Sequence, residues 1–487
     1  MTKCISSVLL ALFLISGVFS SLFAQSTISF QSNHEPLNQA FVWAKEKALS
    51  FAHDSGDPVG PWYEAALPNR EAFCMRDVSH QAIGAELLGL GRHNLNMFQK
   101  FAQNISAEQD YCSYWEINRY DKPAPVDYEN DRDFWYNLPA NFDVVYNAWR
   151  LYQWTGDPAY LDGPEFRNFY ALSMNEYVDH WDLGAKEITA RNRDLHSSEA
   201  KRFGSSRGIP TYNEGGRGKV KLGIDLSASL IAAYQAYSQV LAAQGNSEGA
   251  AKFQARAQTE QEFLEKFWWD SQRKEYRSIQ YEDGSFDYFM VEDNQAYLHY
   301  LLYFGAIHDQ SRIQKLTDAY LASYPKLIVE LKSYLPIIFY ENGYSKAANE
   351  MLVDLCSPEN ARRDYPENSY TVIEHVARGL MGIEPDAATQ TVTTLPRLAS
   401  ASDWAELKEV PVLSGQISVK HEGLKKTTLT NLGANPIQWS AGIPGDHAFL
   451  WINGAKVQSQ KAQDHGRTYS FVLTEVKAGE QVTVLAD

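Results

Sequence analysis

The charged pair Arg76-Asp77 opens an apolar helical pattern and has residue types suited to binding oxygen-rich ligands. The stretch 73–90 reads FCMRDVSHQAIGAELLGL, and its apolar residues recur at about 3.6-residue spacing, which predicts a helix. The dipole of that helix favours Asp77 at its N-terminus, and Arg76 presents a planar fork of donors. Taken alone, the pair is equally typical of a capping aspartate beside a surface arginine.

A combination of polar and aromatic residues returns at the starts of further predicted helices, every second one along the chain. Helix dipoles account for the acidic residues there, but not for the aromatic residues and arginines beside them. We therefore expect the flanks to meet in one ligand cleft. The five further flanks are 131–139 (DRDFWYNLP), 212–217 (YNEGGR, leading to Asp225), 286–293 (FDYFMVED), 333–336 (SYLP) and 363–370 (RDYPENSY).

These flanks belong to a chain whose first part is almost entirely helical in pattern. Short turns such as Gly245-Asn246 join the helices in pairs, which makes the partners antiparallel neighbours. Six such hairpins can close into a double ring, an (α/α)6 barrel in which the inner helices start at one end. The twelve predicted segments are 36–53, 76–91, 93–105, 138–155, 159–181, 222–244, 246–268, 290–306, 308–324, 331–343, 344–356 and 368–382.

The C-terminal part changes from helical to alternating hydrophobicity. Runs such as 415–420 (GQISVK) and 448–453 (AFLWIN) are bounded by turn residues, which predicts β-strands. We expect a small antiparallel β-sandwich over 389–487, after a helical domain over 25–388. A structural buttress is the favoured role for the sandwich, and carbohydrate binding is the alternative.

The composition argues against several kinds of partner. A formal net charge of −16 disfavours nucleic acid and anionic membrane surfaces. The sequence has no metal-ligand spacing and no phosphate-binding glycine loop, so we expect no metal and no cofactor. Aromatic residues make up 13% of the chain, which fits either a large core or the stacking of sugar rings.

The first 24 residues have the pattern of an export signal. Lys3 precedes the apolar run 8–19 (VLLALFLISGVF), and a cleavage site follows at Ala24. The run is too short to span a membrane. We expect an exported protein, periplasmic or secreted, without membrane insertion. Whether Cys74 and Cys112 pair is left open by the sequence.

Taken together, the export signal, the twelve helices and the β-sandwich resemble the six-hairpin glycosidases. The run 75–81 (MRDVSHQ) is similar to the Arg-Asp motif that holds the terminal sugar in several of these families. The runs 378–387 (RGLMGIEPDA) and 393–398 (TTLPRL) are similar to their barrel-to-sandwich junction, and the overall style resembles exported Bacteroidetes enzymes. No individual family is matched, because the acid and base motifs of rhamnosidases and trehalases are not found.

The resemblance implies hydrolysis of a glycosidic bond by two carboxyl groups, mostly with inversion. Members of the superfamily typically take the acid from the loop before the third inner helix and the base from the loop before the sixth. Carried over by position, Glu214 is the predicted general acid and Glu367 the predicted general base. Both are equally typical of loop or helix caps.

The predicted cleft also needs groups that bind the sugar. Trp135 is the best stacking platform, and Asp77 is expected to accept sugar hydroxyls because Arg76 keeps it ionised. Asp225 and Glu374 are expected on the inner wall. The full predicted set is Arg76, Asp77, Asp131, Asp133, Trp135, Tyr212, Asp225, Asp293, Tyr370 and Glu374.

The expected function is an exo-acting glycoside hydrolase that removes a terminal sugar, α-L-rhamnoside-like or another α-glycoside, from plant or algal glycans. Its partner would be an oligosaccharide or glycoside. Two other classes remain open: a uronate-acting hydrolase or polysaccharide lyase on a helical toroid, and a non-catalytic glycan-binding protein.

Overall fold

The computed structural model describes residues 26–67, 69–191, 207–213, 220–289 and 297–487, and these residues contain fifteen α-helices. The helices are α1 Glu35–Ser50, α2 Met75–Leu87, α3 Gly91–Gln103, α4 Ala140–Thr155, α5 Ala159–Asp162, α6 Pro164–Met174, α7 Glu176–His180, α8 Ile224–Ala243, α9 Ser247–Phe263, α10 His299–Tyr303, α11 Gln310–Ser323, α12 Val329–Lys332, α13 Leu335–Glu341, α14 Ser345–Leu355 and α15 Pro366–Glu374. Short 3₁₀ segments lie at Ala107–Gln109, Ile188–Ala190 and Tyr324–Lys326, and π-helical turns lie at Leu264–Trp268 and His375–Leu380.

Six of these helices form a closed ring in which each packs against the next. The order of contacts is α2, α4, α8, α10, α13, the π-helical turn that continues α15, and α15 back to α2. Outside the ring, α1 packs on α15, α3 on α2, α9 on α8 and α14 on α13. The described starts of the ring helices fall near the polar flanks of the sequence. Described residues from five of these flanks line one cavity: Arg76, Trp135, Tyr212, Tyr334 and Tyr365.

The ring helices are buried on nearly all sides, as their composition predicts. Helix α2 buries eleven of its thirteen residues, including Asp77 and His80. Helix α8 is apolar around its whole circumference rather than along one stripe, which is typical of an interior helix. Polar residues inside such helices must find partners within the protein.

Gly84 lets α2 and α15 approach closely. A Cβ atom at this position would lie 2.0 Å from the backbone oxygen of Tyr370, so a larger residue would push the two helices apart. Because α2 carries Asp77 and α15 carries Glu367, the close packing brings these two acids together.

One predicted helix is divided in the structure. The segment 159–181 forms α5, α6 and α7, with breaks at Gly163 and Asn175. Gly163 is followed by Pro164, which lacks a backbone N–H and favours the first turn of a new helix. The apolar pattern continues across both breaks because each short helix still buries one face.

The C-terminal residues form two packed sheets. In the seven-stranded sheet the spatial order is Ser29–Ser32, Trp404–Val412, Gly415–Glu422, Lys426–Asn431, Gln481–Leu485, Phe449–Ile452 and Ala455–Gln458. In the five-stranded sheet it is Glu384–Asp386, Thr391–Thr394, Ile437–Pro444, Arg467–Val476 and Gln460–Asp464. Trp439, Leu407 and Val419 are fully buried in this part of the chain.

The sandwich takes in chain from outside 389–487. The strand Ser29–Ser32 pairs antiparallel with Trp404–Val412, with Phe30 opposite Leu407. The strand Glu384–Asp386 pairs with Thr391–Thr394. A terminal strand of four residues carries too little alternation to reveal its partner sheet, so the sequence analysis placed it in the helical domain.

The remaining strands are short and lie in the loops between the helices. They are Ala52–His53, Trp62–Tyr63, Ala72–Cys74, Glu116–Asn118, Lys122–Pro123, Tyr128–Asn130, Asp133–Phe134, Tyr136–Asn137, Arg207–Ile209, Val220–Gly223, Trp269–Asp270, Glu275–Tyr276, Ile279–Tyr281 and Phe286–Asp287. Among the helices described, none has the length and apolar character required to cross a bilayer.

Candidate active site

A cavity of about 770 Å³ lies at the end of the ring where the inner helices begin. This volume falls within the usual range for small-molecule sites, about 300–1,000 Å³. The lining residues come from six separate parts of the chain and are mostly aromatic or charged. They are Ala66, Leu67, Arg70, Cys74, Arg76, Asp77, Trp115, Glu116, Asp127, Trp135, Tyr212, Asn213, Tyr297, His299, Tyr300, Ile328, Glu330, Leu331, Tyr334, Arg362 and Tyr365.

The first feature of the site is a pair of carboxyl groups, Asp77 and Glu367, which we call the inner pair. Arg76 Nη2 lies 2.9 Å from Asp77 Oδ1 and 3.2 Å from Glu367 Oε1. The two carboxyl groups lie close enough for each to shift the pKa of the other. Asp77 reaches the cavity, whereas Glu367 is fully buried behind it.

The surroundings place one proton and one negative charge on the inner pair. Burial raises the pKa of Glu367 well above its usual range, and Asp77 adds to the shift although Arg76 opposes it. Burial also acts to raise the pKa of Asp77, but Arg76 and hydrogen bonds from Cys74 and Tyr365 outweigh it and hold that pKa below its usual range. Asp77 is therefore the ionised member at neutral pH.

The second feature is another pair of carboxyl groups, Glu116 and Asp127, which we call the outer pair. The strand before α2 pairs with Glu116–Asn118, and the register sets Cys74 opposite Glu116. Arg70 Nη1 lies 2.8 Å from Glu116 Oε2 and 3.9 Å from Asp127 Oδ2. Both acids line the cavity.

The outer pair also holds a proton at neutral pH. Burial, together with the charge of Asp127 and a hydrogen bond to it, raises the pKa of Glu116 from 4.5 to about 8, although Arg70 opposes the shift. A carboxyl group with such a pKa on a cavity wall can give a proton to a bound ligand. Glu116 thus has the properties required of a general acid.

Aromatic side chains form much of the remaining wall. The Trp135 indole donates from Nε1 to Asn137 Oδ1 at 2.7 Å, which fixes its ring orientation. The Tyr212 hydroxyl donates to Asp143 at 2.5 Å, and burial raises the pKa of Asp143 to about 7. Rings held in this way offer rigid apolar faces beside hydrogen-bonding groups, an arrangement suited to sugar rings.

Of the predicted site residues, Arg76, Asp77, Trp135 and Tyr212 line the cavity. Asp225 lies just below the wall, where it accepts hydrogen bonds from the Tyr212 backbone N–H at 2.6 Å and from the Thr211 hydroxyl at 3.0 Å. Burial raises the pKa of Asp225 to about 6. It supports Tyr212 rather than facing a ligand.

The predicted base, Glu367, has an unexpected environment. Activating a water molecule requires an ionised carboxylate with access to the cavity. Glu367 is fully buried and does not line the cavity, and burial raises its pKa well above the usual range. Its assignment stays a prediction, and Asp77 is the member of this pair that lines the cavity.

The other predicted residues lie away from the cavity wall. The Asp131 carboxylate accepts hydrogen bonds from Tyr128 and Gln109, and Asp133 lies in a short strand paired with 128–130. The Tyr370 hydroxyl donates to the backbone oxygen of Ala48 in the outer helix α1, at 2.8 Å.

Glu374 lies deep in the ring. It is paired with Arg150 and Arg378, and these charges hold its pKa below the usual range although burial opposes them. Its predicted position on the inner wall does not bring it to the cavity, because two turns of α15 separate it from Glu367 by about 10 Å.

Glu214, the predicted acid, and Asp293 lie outside the described residues.

Arg70, Glu116 and Asp127 line the cavity but were not predicted as site residues from the sequence. They lie in connections between helices, where periodicity carries no information about partners. One signal is present: Glu116 is an isolated acid between Trp115 and Ile117 in an apolar run. Such a residue is rarely buried without a specific partner.

The sequence matches no protein-family model, and no curated protein is similar to it. An α-L-rhamnosidase from Dictyoglumus thermophilum has a similar structure, with a TM-score of 0.60 and 11% identity over 95% of this chain and 51% of that chain. A rhamnosidase from Bacillus SP. GL1 gives a TM-score of 0.54 and 14% identity over 83% of this chain and 40% of that one.

A putative kojibiose phosphorylase from the human microbiome is also similar, with a TM-score of 0.53 and 10% identity over 93% of this chain and 60% of that one. The chain therefore spans about half the length of the rhamnosidases it matches. At these identities the likeness concerns the fold alone. The expected resemblance is confirmed at the level of the fold, since two rhamnosidases and a putative kojibiose phosphorylase share it.

Proposed function

We propose that this chain is an exo-acting glycoside hydrolase whose ring of helices is the inner layer of an (α/α)6 barrel. The observation that carries the proposal is the cavity with two carboxyl pairs on its wall. Each pair holds one proton and is bound by one arginine, Arg70 or Arg76. Hydrolysis of a glycosidic bond needs a protonated carboxyl group and an ionised one on the two sides of that bond.

In this proposal Glu116 is the general acid. It faces the cavity, and its pKa of about 8 keeps it protonated at neutral pH. It gives its proton to the oxygen of the leaving group as the glycosidic bond breaks. Asp127 and Arg70 then face a newly charged Glu116, and Arg70 is placed to stabilise that charge.

The inner pair is proposed to supply the base. Asp77 is ionised and faces the cavity, and Glu367 stands behind it as a proton-bearing partner. A water molecule that loses a proton to this pair attacks the anomeric carbon, and the product is inverted. Glu214 remains a competing acid on the grounds of its position before the third inner helix.

The aromatic wall is proposed to hold a terminal sugar, with Trp135 as a stacking face and Arg76 bound to its hydroxyl groups. An α-L-rhamnoside or another α-glycoside of plant or algal glycans is the proposed substrate class. The proposed location is outside the cytoplasm, on the strength of the N-terminal signal pattern.

A polysaccharide lyase is the second candidate, because the cavity wall also carries His299, Tyr300 and Tyr334 near three arginines. A histidine–tyrosine pair can remove and return a proton beside a uronate carboxylate. This activity would release an unsaturated sugar, which absorbs ultraviolet light, whereas hydrolysis would not.

The test is turnover of a panel of aryl glycosides, plant oligosaccharides and uronate polymers by wild type and by Glu116→Gln, Asp77→Asn, Glu367→Gln and Glu214→Gln. The proposal predicts hydrolysis of one substrate class, with large losses in Glu116→Gln and Asp77→Asn. NMR shows which anomer of the product sugar is released first, and this decides between inversion and retention. Tight glycan binding with no turnover by wild type would refute the proposal and favour a binding protein.

A further inference from the structure

Ser333 joins the inner pair to a part of the barrel interior that the proposed reaction does not use. Its hydroxyl oxygen lies 3.3 Å from Glu367 Oε2 and 2.8 Å from the backbone oxygen of Glu330. It also lies 3.1 Å from His80 Nε2. All three side chains (His80, Ser333 and Glu367) are buried.

His80 is held firmly in this position. Its ring stacks on that of Tyr334, with centroids 3.5 Å apart and an interplanar angle of 6°. Tyr334 in turn lines the cavity. Because α2 carries both Asp77 and His80, the histidine lies about one helical turn below the ionised carboxylate.

The hydroxyl of Ser333 has one proton and three polar neighbours, so it can donate to only one of them at a time. When it donates to the Glu330 oxygen, it can accept from His80 Nε2–H and from a proton on Glu367 Oε2. When it donates to Glu367 Oε2, the carboxyl proton of Glu367 must sit on Oε1. That is the side where Arg76 Nη2 is shared with Asp77 Oδ1.

We infer that Ser333, oriented by His80, is a hydroxyl switch that decides whether the proton of Glu367 is directed toward Asp77 or away from it. Ser333 and His80 are thus positioning residues, which act through the inner pair and do not touch the substrate. The inference rests on the proposed function. The proton count is constant during the switch: the serine proton turns from Glu330 O to Glu367, and the carboxyl group makes a half-turn about its Cγ–Cδ bond. This turn carries its proton, still bound to the same oxygen, from the Ser333 side to the Arg76 side.

The charge states of the neighbours agree with this network. Burial, together with the nearby charges of Arg76 and Arg150, holds the pKa of His80 well below its usual range, so it is neutral and can carry its proton on Nε2. The groups that face Glu367 are one arginine, the other acid of the inner pair, two tyrosines and one further acid. They are Arg76, Asp77, Tyr334, Tyr365 and Glu330.

The first test is Ser333→Ala, compared with wild type on the substrate found by the panel. We expect kcat to fall about tenfold to a hundredfold, a modest share of what general acid–base catalysis supplies. We expect KM to stay within about twofold, since Ser333 does not reach the ligand. Loss of the hydroxyl removes a hydrogen-bond donor to Glu367, which raises the pKa of the inner pair. The limb of the pH–rate profile that reports this pKa should therefore move to higher pH.

Variants of His80 test the orientation of the switch. His80→Gln keeps an N–H donor toward Ser333 and should retain most of kcat, whereas His80→Leu should lose about as much as Ser333→Ala. His375→Gln is the matched control, because His375 is equally buried near His80, with ring centroids 6.5 Å apart, and does not line the cavity. It should leave kcat and the pH profile unchanged.

A measurement without substrate separates this inference from the proposed function. In ¹⁵N-histidine-labelled protein, long-range ¹H–¹⁵N spectra report which ring nitrogen carries the proton, and His80→Gln identifies the signal. We expect the Nε2–H form in wild type and a changed Nε2 shift in Ser333→Ala. A proton on Nδ1, or an Nε2 shift that is unchanged in Ser333→Ala, would overturn the inferred switch even if hydrolysis is found. If no glycoside is cleaved while these signals appear as expected, the network stands and the proposed function fails.

Discussion

The inner and outer carboxyl pairs have the same composition, two acids and one arginine, but the protein builds them in different ways. The inner pair lies where two ring helices touch, and the side chain of Arg76 is only 15% exposed. The outer pair lies on a short strand and a loop, and the side chain of Arg70 is 28% exposed. In the inner pair the member that faces the cavity is ionised, whereas in the outer pair Glu116 faces the cavity with its proton.

The difference shows how the neighbourhood assigns roles to identical chemical groups. Asp77 receives hydrogen bonds and contacts Arg76 closely, so its negative charge is stabilised. Glu116 has one arginine contact and a second carboxyl beside it, so its neutral form is favoured. An acid and a base within one cavity require such a separation of pKa values.

The largest expected effects come from neutralising one cavity-facing acid at a time, which tests whether Glu116 and Asp77 have different roles. We expect Glu116→Gln to lower kcat by at least about a hundredfold on poor leaving groups, because they need a proton donor. Aryl glycosides with acidic leaving groups should lose far less. Asp77→Asn should slow all leaving groups alike. A Glu116→Gln variant with equal losses on both substrate types would show that Glu116 is not the acid.

The arginines should differ in their effect on stability. Arg76→Met leaves two buried carboxyl groups without their cation, which costs about 3–5 kcal/mol of the free energy of unfolding. Arg70→Met should cost about 1 kcal/mol, because its site is partly solvated. Urea unfolding at neutral pH measures both values. Equal losses would mean that the two pairs are equally enclosed.

The outer pair predicts a dependence of stability on pH. Glu116 in the folded protein keeps its proton up to about pH 8, whereas its ordinary pKa is 4.5. Between these values the folded state binds more protons than the unfolded state, so this group's stabilising contribution decreases as the pH rises. Comparison of the free energy of unfolding of wild type and Glu116→Gln across this range isolates the effect, and an identical slope in both would contradict it.

Activity should follow the same group. Asp127→Asn removes the neighbouring negative charge, so the pKa of Glu116 falls and the high-pH limb of kcat/KM should move to lower pH. Asp131→Asn is the matched control, since that aspartate is nearby in the chain but does not line the cavity. A limb that stays in place in Asp127→Asn would assign it to another group.

The smallest expected effect concerns the aromatic wall, which lines the same cavity as both carboxyl pairs. Trp135→Ala should raise KM about tenfold, equivalent to about 1.4 kcal/mol, with little change in kcat. Tyr370→Phe, which removes only a hydroxyl bound to Ala48, should leave both constants unchanged. A fall in kcat without a change in KM in Trp135→Ala would mean that the ring positions the reacting groups rather than the sugar.

Much of the site was predictable where chemistry and helix periodicity coincide. Arg76 and Asp77 mark the start of α2, and Trp135 and Tyr212 precede α4 and α8, so the prediction that such flanks meet found four cavity residues. Periodicity failed for Tyr370 and Glu374, which lie on α15. One faces the outer helix α1, and the other is two turns too deep.

The sequence pattern predicted most of the long helices, the main strands of the sandwich, the polar residues at the starts of the ring helices, and Asp77 as a charged acid beside Arg76. These features depend on neighbours within a few residues, which a pattern can show. The tertiary structure brings Glu116 and Asp127 into the site, because the register of a short strand sets Glu116 opposite Cys74 and Arg70 lies near both acids. It also decided which acids hold protons, since burial and contacts between distant segments govern those pKa values.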